Sequence, residues 1–158
     1  MDSTFIHTHA LCESDQIGIG TRIWAFVHIM PDVIIGNDCN ICDHVYIESG
    51  VSIGNRVTIK SGVQVWETTT IEDDVFIGPN VTFTNNKFPR SRDSLRIHQH
   101  LLIRKGASIG ANATVLPGLE LGQNCMIGAG SVVTKNVPDF AVVIGNPARV
   151  VRYLDSNL

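Results

Sequence analysis

The chain has 158 residues, of which 44% are hydrophobic and 17% are charged, and its formal net charge is −3. This length suits one domain, spanning residues 1–158, with a sizeable core. The mildly acidic balance, without blocks of like charge, argues against nucleic acid and against a membrane surface as partners. We find neither the pattern of a signal peptide nor an apolar stretch long enough to cross a membrane, so we expect a cytoplasmic protein that acts on a small molecule.

Every sixth residue from Ile17 to Phe83 is apolar, without exception over twelve positions. The register breaks after Phe83 and resumes at Ile103, which predicts an insertion from Thr84 to Leu102. A period of six fits neither a helix nor a plain alternating strand. It fits a short strand followed by a sharp corner, with coil stacked upon coil.

A second inward position lies four residues after the first and is small or branched. Its members are Val27, Val33, Cys39, Val45, Val51, Val57, Val63, Val75, Val81, Ala107, Ala113 and Ser131. Glycines recur every eighteen residues, as at Gly18, Gly36 and Gly54, so three hexads form one triangular coil. Corners require positive φ or little side chain, and glycine and asparagine supply either easily.

The stacked coils are predicted to form three parallel sheets around ladders of Ile and Val, an all-β parallel β-helix. Residues 137–158 are expected to cap the open end, with Arg149–Leu154 as a short helix. Cys39 and Cys42 lie close together in the sequence, and the hexad register turns Cys39 inward and Cys42 outward. This pair resembles half a zinc knuckle, but no second pair follows, so we expect a structural role.

The register, the small corner residues, the insertion and the late run IGNPAR together resemble the left-handed β-helix (hexapeptide-repeat) acyltransferases. The left hand is implied by this resemblance, because the general rule for parallel crossovers favours the right. The run VWETTTIEDDVFIGPNVTFTNNKFPR, Val65 to Arg90, resembles N-acetyltransferases that act on the 3-amino group of dTDP-3-amino-3,6-dideoxyhexoses. It is more distantly similar to enzymes that act on UDP-linked 3-amino uronic acids, so dTDP and UDP both stay open.

The resemblance implies an acetyl-CoA-dependent sugar N-acetyltransferase serving surface polysaccharide synthesis, a homotrimer with its sites between subunits, and no metal. Members often have Asp-Gly after the tryptophan and Asn-Asp in the loop, where this chain has Glu67-Thr68 and Asn85-Asn86. Lys87 and Phe88 stand where related O-acetyltransferases carry a loop histidine as general base.

The predicted active site is the corner at which the insertion leaves the helix. Residues eighteen apart stack there in two neighbouring columns: Glu48, Trp66 and Thr84; Ser49, Glu67 and Asn85. The resemblance gives Asn85 a functional role, since it can hydrogen-bond the sugar or its amine. Glu48 and His28 are candidate bases, although an amine that arrives neutral can react without one and lose its proton to the CoA thiolate.

The predicted substrate contacts are Trp66, Glu67, Thr84, Asn86 and Arg90. The insertion is basic, which suits a sugar diphosphate, and its charged residues are Lys87, Arg90, Arg92 and Arg96 against Asp93. For acetyl-CoA, the stacked corner residues Ala111 and Ala129 would flank the pantetheine, and Lys135 and Arg149 suit its phosphates. Asn146 and Pro147 resemble the family's terminal turn at the adenine end.

Two other classes remain as alternatives. Hexapeptide β-helices include zinc carbonic anhydrases of the γ class, but His98 and His100 are the only close histidine pair, with no third at a stacked position. A nonenzymatic scaffold is the other alternative, and the long insertion argues against it. A formyl donor would require a folate pocket, of which we see no sign.

Overall fold

The computed structural model describes residues 3–92 and 99–155, and none of these residues is helical. No helix able to span a membrane is therefore found in that part of the chain. Twenty-one strands, most of them two residues long, form three sheets. Successive strands along a coil fall in sheets A, B and C in turn, so the chain winds as a triangular parallel β-helix.

Sheet A has nine strands: β1 Phe5–Ile6, β3 Arg22–Ile23, β6 Asn40–Ile41, β9 Thr58–Ile59, β12 Phe76–Ile77, β15 Ser108–Ile109, β18 Met126–Ile127, β20 Ala141–Ile144 and β21 Arg149–Tyr153. Sheet B has seven: β2 Leu11–Cys12, β4 His28–Ile29, β7 Tyr46–Ile47, β10 Gln64–Val65, β13 Thr82–Phe83, β16 Thr114–Val115 and β19 Val132–Val133. Sheet C has five: β5 Ile34–Ile35, β8 Ser52–Ile53, β11 Thr69–Ile71, β14 Leu101–Ile103 and β17 Glu120–Leu121.

The two inward positions of each hexad form one continuous core, as predicted. All members of the second inward set are buried, including Ser131. The first set is buried as well, except Ile17, which is half-buried in the first coil. Burying one such isoleucine contributes about 1.5–3 kcal/mol relative to leaving it in water, so the ladder dominates the stability of the helix.

The corners contain a positive φ at every sixth residue, where the chain turns from one sheet to the next. Those residues are Gly20, Phe26, Asp32, Asp38, His44, Gly50, Arg56, Gly62, Thr68, Asp74 and Asn80 before the insertion, and Gly106, Asn112, Gly118, Asn124 and Gly130 after it. Arg92 in the insertion and Phe140 and Gly145 in the cap also have positive φ. The eighteen-residue glycines are not among them. Glycine is required at these positions because the coils pack closely there. A Cβ at Gly36 would lie 2.6 Å from the backbone C and O of Gly54.

A ladder of side-chain acceptors joins the coils at the corner between sheets C and A. The side-chain oxygens of Asn37, Asn55 and Asp73 each accept the backbone N–H of the residue one coil below, at 2.7–2.9 Å. The N–H of Asn55 lowers the pKa of Asp73. These bonds satisfy backbone donors that the two-residue strands leave unpaired.

The insertion is shorter than predicted, because Leu101 and Leu102 already belong to β14. Leu101–Ile103 pairs with Thr69–Ile71, and Leu101 is buried. The excursion therefore runs from Thr84 to His100. Buried Leu101 occupies the second inward position of the hexad that ends at Ile103, and this position could have been recognised from the register.

The prediction of a helix at Arg149–Leu154 is wrong. Arg149–Tyr153 is a strand that pairs antiparallel with Ala141–Ile144, which in turn continues sheet A beyond Met126–Ile127. The edge of the last coil offers unpaired backbone groups, and a strand satisfies them where a helix would not. The residues Val150, Val151 and Tyr153 also favour strands. The cap is thus a β-hairpin.

Gly36→Ala tests the spacing of the coils. The added Cβ meets backbone atoms that cannot move aside, so we expect the free energy of unfolding to fall by roughly 1–3 kcal/mol. Urea denaturation followed by circular dichroism measures it. Gly50→Asn is the control, because no atom lies within 4 Å of its Cβ position and asparagine tolerates the positive φ. Equal destabilisation by the two variants would contradict the packing argument.

Candidate functional site

The predicted site corner lies between sheets B and C, where three successive strands of sheet B are followed directly by Glu48, Trp66 and Thr84. The indole Nε1 of Trp66 donates to the carbonyl of Phe83 one coil above, at 2.6 Å. The backbone N–H of Glu67 donates to Oε2 of Glu48, at 2.9 Å. The expected stacking of these columns is therefore present, and the bonds fix the orientation of Trp66 and Glu48.

A cavity of about 180 Å³ opens where the insertion leaves this corner. Its lining residues are Asn85, Asn86, Lys87, Phe88, Gln99 and Pro117. Asn86 is occupied in a turn, since its Oδ1 accepts the N–H of Phe88 at 2.9 Å. The side-chain amide of half-buried Asn85 makes no hydrogen bond to any described residue and is available to a ligand.

Three wall residues of this cavity were missed from the sequence: Phe88, Gln99 and Pro117. Pro117 could have been found, because Thr82 pairs with Thr114 and the same register puts Pro117 above Asn85. Gln99 lies on the return of the insertion, where no periodicity applies. Of the described basic residues of the insertion, only Lys87 lines the cavity, while exposed Arg90 contacts the carbonyl of its neighbour Pro89 at 3.4 Å. Asp93 and Arg96 lie outside the described residues.

His28 is not at this corner. Its strand is three coils below β13 in sheet B, and its Nε2 lies 2.8 Å from Oε2 of Glu13. The His28 ring contacts Tyr46 edge-on, at 5.4 Å between ring centroids. The partner Glu13 was missed because the first coil pairs Leu11 with His28, one residue short of the regular spacing.

The residues predicted for the coenzyme divide between two corners. Ala111 and Ala129 stack at the corner between sheets A and B, where the N–H of Gly130 donates to the carbonyl of Ala111 at 2.9 Å. Lys135 follows β19 at the corner between B and C, two coils above Asn85. With coils about 4.8 Å apart, Lys135 stands roughly 10 Å above Asn85.

Lys135 and Arg149 share a cavity of about 150 Å³ between the last coil and the hairpin. The other lining residues are Val133, Asn136, Val137, Val143, Ala148 and Val150. Two cations beside an asparagine amide suit a phosphate. Asn146 and Pro147 lie in the exposed turn of the hairpin and do not line this cavity.

Neither metal nor thiol chemistry has a recognisable centre in residues 3–92 and 99–155. No group of three or more His, Cys, Asp or Glu side chains there could hold a metal ion. His100 contacts the hydroxyl of Thr70 at 3.0 Å, and His98 lies outside the described residues. Burial raises the pKa of all four cysteine thiols, that of Cys125 to about 12, so none is an activated nucleophile.

Comparison with known proteins identifies the family. Residues 16–49, 50–85 and 100–135 match the family described as bacterial transferase hexapeptide (six repeats). The chain belongs to this hexapeptide-repeat transferase family. Its left-handed β-helix, predicted from the resemblance, is confirmed with it. The chain is 52% identical over 153 residues to the dTDP-3-amino-3,6-dideoxy-alpha-D-galactopyranose 3-N-acetyltransferase of Aneurinibacillus thermoaerophilus, a match covering 97% of this chain and 80% of that protein.

Solved structures of hexapeptide-repeat transferases superimpose on this fold. A mutant of the GDP-perosamine N-acetyl transferase from Caulobacter crescentus, in complex with CoA and GDP-perosamine, superimposes with a TM-score of 0.70 at 22% identity. That match covers 95% of this chain and 57% of the other. A mutant N-acyltransferase from Bacillus cereus, in complex with dTDP and Coenzyme A, gives a TM-score of 0.56 at 18% identity, covering 98% and 84%. The predicted resemblance to sugar N-acetyltransferases is confirmed.

Glu48→Gln and Glu48→Ala together separate positioning from base catalysis. Glutamine keeps an oxygen that can accept the Glu67 N–H, so we expect kcat within about threefold of wild type, whereas loss of a general base costs about 10²–10⁴. Glu48→Ala removes the acceptor, and we expect it to destabilise the corner by about 1 kcal/mol. Steady-state kinetics and thermal melting provide the measurements. A hundredfold fall in kcat for a fully folded Glu48→Gln variant would instead establish a base.

Proposed function

We propose that this chain is an acetyl-CoA-dependent N-acetyltransferase that acetylates the 3-amino group of a dTDP-3-amino-3,6-dideoxyhexose. The observation that carries the proposal is the 52% identity, over nearly the whole chain, to an enzyme of that activity. The cavity at the insertion supports it, because it presents Asn85 and Lys87 at the corner where the resemblance requires a functional asparagine. The chain acts as a single acyltransferase domain over residues 1–158.

The reaction needs positioning more than it needs a protein base. The neutral amine attacks the thioester carbonyl carbon, a C–N bond forms, the C–S bond breaks, and the proton of the amine passes to the departing CoA thiolate. The Asn85 amide oxygen accepts an N–H of the amine and aims the nitrogen lone pair at the thioester. Holding two reactants in this way removes much of the entropic barrier. Glu48 acts as a positioning residue through its bond to Glu67.

Acetyl-CoA lies on the side of the later coils, above Asn85. Lys135 and Arg149 hold its phosphates, and the small corner residues Ala111 and Ala129 leave the pantetheine room beside the backbone. Since these alanines stand at a different corner from Asn85 and Lys135, one chain does not bring the two sets together. A homotrimer with sites between subunits is therefore part of the proposal, with the A–B corner of one subunit set against the B–C corner of the next.

The other substrate contacts follow from the same corner. Lys87 binds the diphosphate, with Arg90 closing over it from the loop. Trp66, Glu67, Thr84 and Asn86 surround the sugar. Both acetyl-CoA and nucleotide sugars are cytoplasmic metabolites, which suits a cytoplasmic enzyme with free cysteines. The acetylated sugar would serve surface polysaccharide synthesis.

Thiol release from acetyl-CoA, measured against a panel of dTDP- and UDP-linked amino sugars, tests the activity. We expect a dTDP-3-amino-3,6-dideoxyhexose to react fastest and Asn85→Ala to lower kcat at least about a hundredfold. Asn40→Ala is the control, since that residue bonds exposed Trp24 on sheet A, away from the site. No reaction with any amino sugar would contradict the proposal and favour a scaffold.

Lys135→Ala tests the coenzyme end. Losing one charged contact to a phosphate costs about 1.5–3 kcal/mol, so we expect the KM for acetyl-CoA to rise roughly tenfold or more while the KM for the sugar stays unchanged. Lys105→Ala is a charge-matched control, because Lys105 follows β14 at the corner between sheets C and A, away from both corners of the proposed site. A change confined to the sugar KM would move Lys135 from the coenzyme to the nucleotide.

A further inference from the structure

Attack of the sugar amine on the thioester moves negative charge onto the carbonyl oxygen of the acetyl group. The tetrahedral intermediate collapses when the C–S bond breaks, the charge leaves on the CoA thiolate, and the thiolate takes the amine proton. A hydrogen-bond donor aimed at the oxygen stabilises this intermediate, and losing one such donor typically costs about 10²–10³ in kcat. The cavity at the insertion therefore needs a donor besides the acceptor oxygen of Asn85.

Gln99 shares this cavity with Asn85 and lies at the same level of the helix. The insertion leaves the helix after Asn85, and the chain returns to it at Gln99. Because β14 pairs Leu101 with Thr69, the same register sets Gln99 above Glu67, which is also the residue eighteen positions before Asn85. The two amide side chains thus stand on the outgoing and the returning limb of the insertion, and both line the cavity.

The backbone at Gln99 is fixed to the coil below. Its carbonyl accepts the hydroxyl of Thr68, at 3.4 Å. The next residue, His100, has its Nε2 atom 3.0 Å from the hydroxyl of Thr70, and the N–H of Leu101 donates to the carbonyl of Thr68 at 3.2 Å. The helix therefore places Gln99, and a donor that is held in advance needs no reorganisation when charge develops.

The side chain of Gln99 reaches the coil above, on the side where acetyl-CoA is proposed to lie. A Cβ on Gly118 would lie 2.6 Å from Oε1 of Gln99 and 3.0 Å from its Cβ and Cδ. The amide can rest against this corner because Gly118 has no side chain. The oxygen is the amide atom nearest to Gly118, so Nε2 lies farther from the corner. No described residue forms a hydrogen bond with this amide, which leaves its N–H groups available to a ligand.

The other side chains around the cavity are engaged or belong to the outgoing limb. The hydroxyl of Thr84 donates to a backbone carbonyl of the coil above, at 3.3 Å. Pro117, which lies in that coil, has no N–H to offer. Lys87 extends along the outgoing limb, with its Nζ 5.9 Å from the centre of the aromatic ring that follows it. Asn86 is held in the turn of the same limb. The amide on the side of the coenzyme is that of Gln99.

We propose that Gln99 is a catalytic residue, whose side-chain amide donates a hydrogen bond to the oxyanion of the tetrahedral intermediate. This inference rests on the proposed function and adds a second contact to the reacting atoms. Asn85 holds the amine from one limb of the insertion and Gln99 holds the oxygen from the other, with the thioester carbon between them. The bond to Gln99 strengthens as the oxygen becomes charged, so it acts on kcat and not on substrate binding.

Steady-state kinetics of Gln99→Ala, with acetyl-CoA and a dTDP-3-amino-3,6-dideoxyhexose, test the inference. We expect kcat to fall about 10²–10³-fold, while the KM values of both substrates stay within about threefold of wild type. Gln123→Ala is the matched control, because it removes the same side chain at the corner between sheets C and A. This control should keep the kcat of wild type.

Gln99→Glu separates hydrogen-bond donation from a structural role. An ionised carboxylate has no donor and repels the oxyanion, so kcat should fall at least as far as in Gln99→Ala at neutral pH. A protonated carboxyl regains one O–H donor. Since a glutamate carboxyl ordinarily titrates near about pH 4.3, the kcat of Gln99→Glu relative to wild type should rise as the pH falls from about 8 to about 5.5. The same ratio for Gln99→Ala should stay constant.

Thermal melting confirms that each variant is folded, and Gln99→Met, of similar length but without a donor, replaces Gln99→Ala if the latter is not. A kcat within about threefold of wild type in the folded variant would overturn the inference, as would a ratio for Gln99→Glu that does not change with pH. If wild type releases thiol with an amino sugar in that case, the proposed function stands. If wild type releases no thiol with any amino sugar, the role of Gln99 and the proposed function both fail.

Discussion

The stacking of each coil on the one below is the constraint on which the rest of the structure depends. Strands of two residues cannot hold themselves together, so most backbone bonds join one coil to the next, typically between residues seventeen or nineteen apart. Inward isoleucine side chains pack against the inward side chains of the coils above and below. The backbone of Gly54 lies so close to Gly36 that position 36 has no room for a side chain. The stability of the helix is accordingly the sum of contributions from pairs of neighbouring coils.

The same constraint decides where function can be placed. The interior is filled and the faces repeat, so only the corners and the outward residues are free to vary. Asn85 and Lys135 lie in one corner column because the register passes unbroken across the insertion. The column converts a sequence separation of fifty residues into a short vertical distance, and so brings the proposed acceptor site near the proposed donor site.

The sequence alone predicted most of the core and part of the candidate site. The core followed from the six-residue ladder, which leaves no freedom to Ile23, Ile47 or Ile109. The columns of Glu48 and Trp66 followed from the same counting. The terminal hairpin was missed because residues 137–155 leave the repeat, and an unpaired sheet edge, which periodicity does not reveal, decided their conformation. Gln99 was missed for a related reason, since its position depends on how the insertion folds back.

Thirty-two residues separate Thr82 from its partner Thr114, whereas eighteen separate Gln64 from Thr82, yet the ladder continues in register. Closure of a longer loop costs only a term that grows as the logarithm of its length. The segment that shapes the cavity can therefore lengthen, shorten or change sequence with little effect on the coils that carry it. The residues that stabilise the coils and the residues that select the acceptor sugar can therefore change independently in evolution. A change of acceptor sugar requires a change in the insertion and not in the coils.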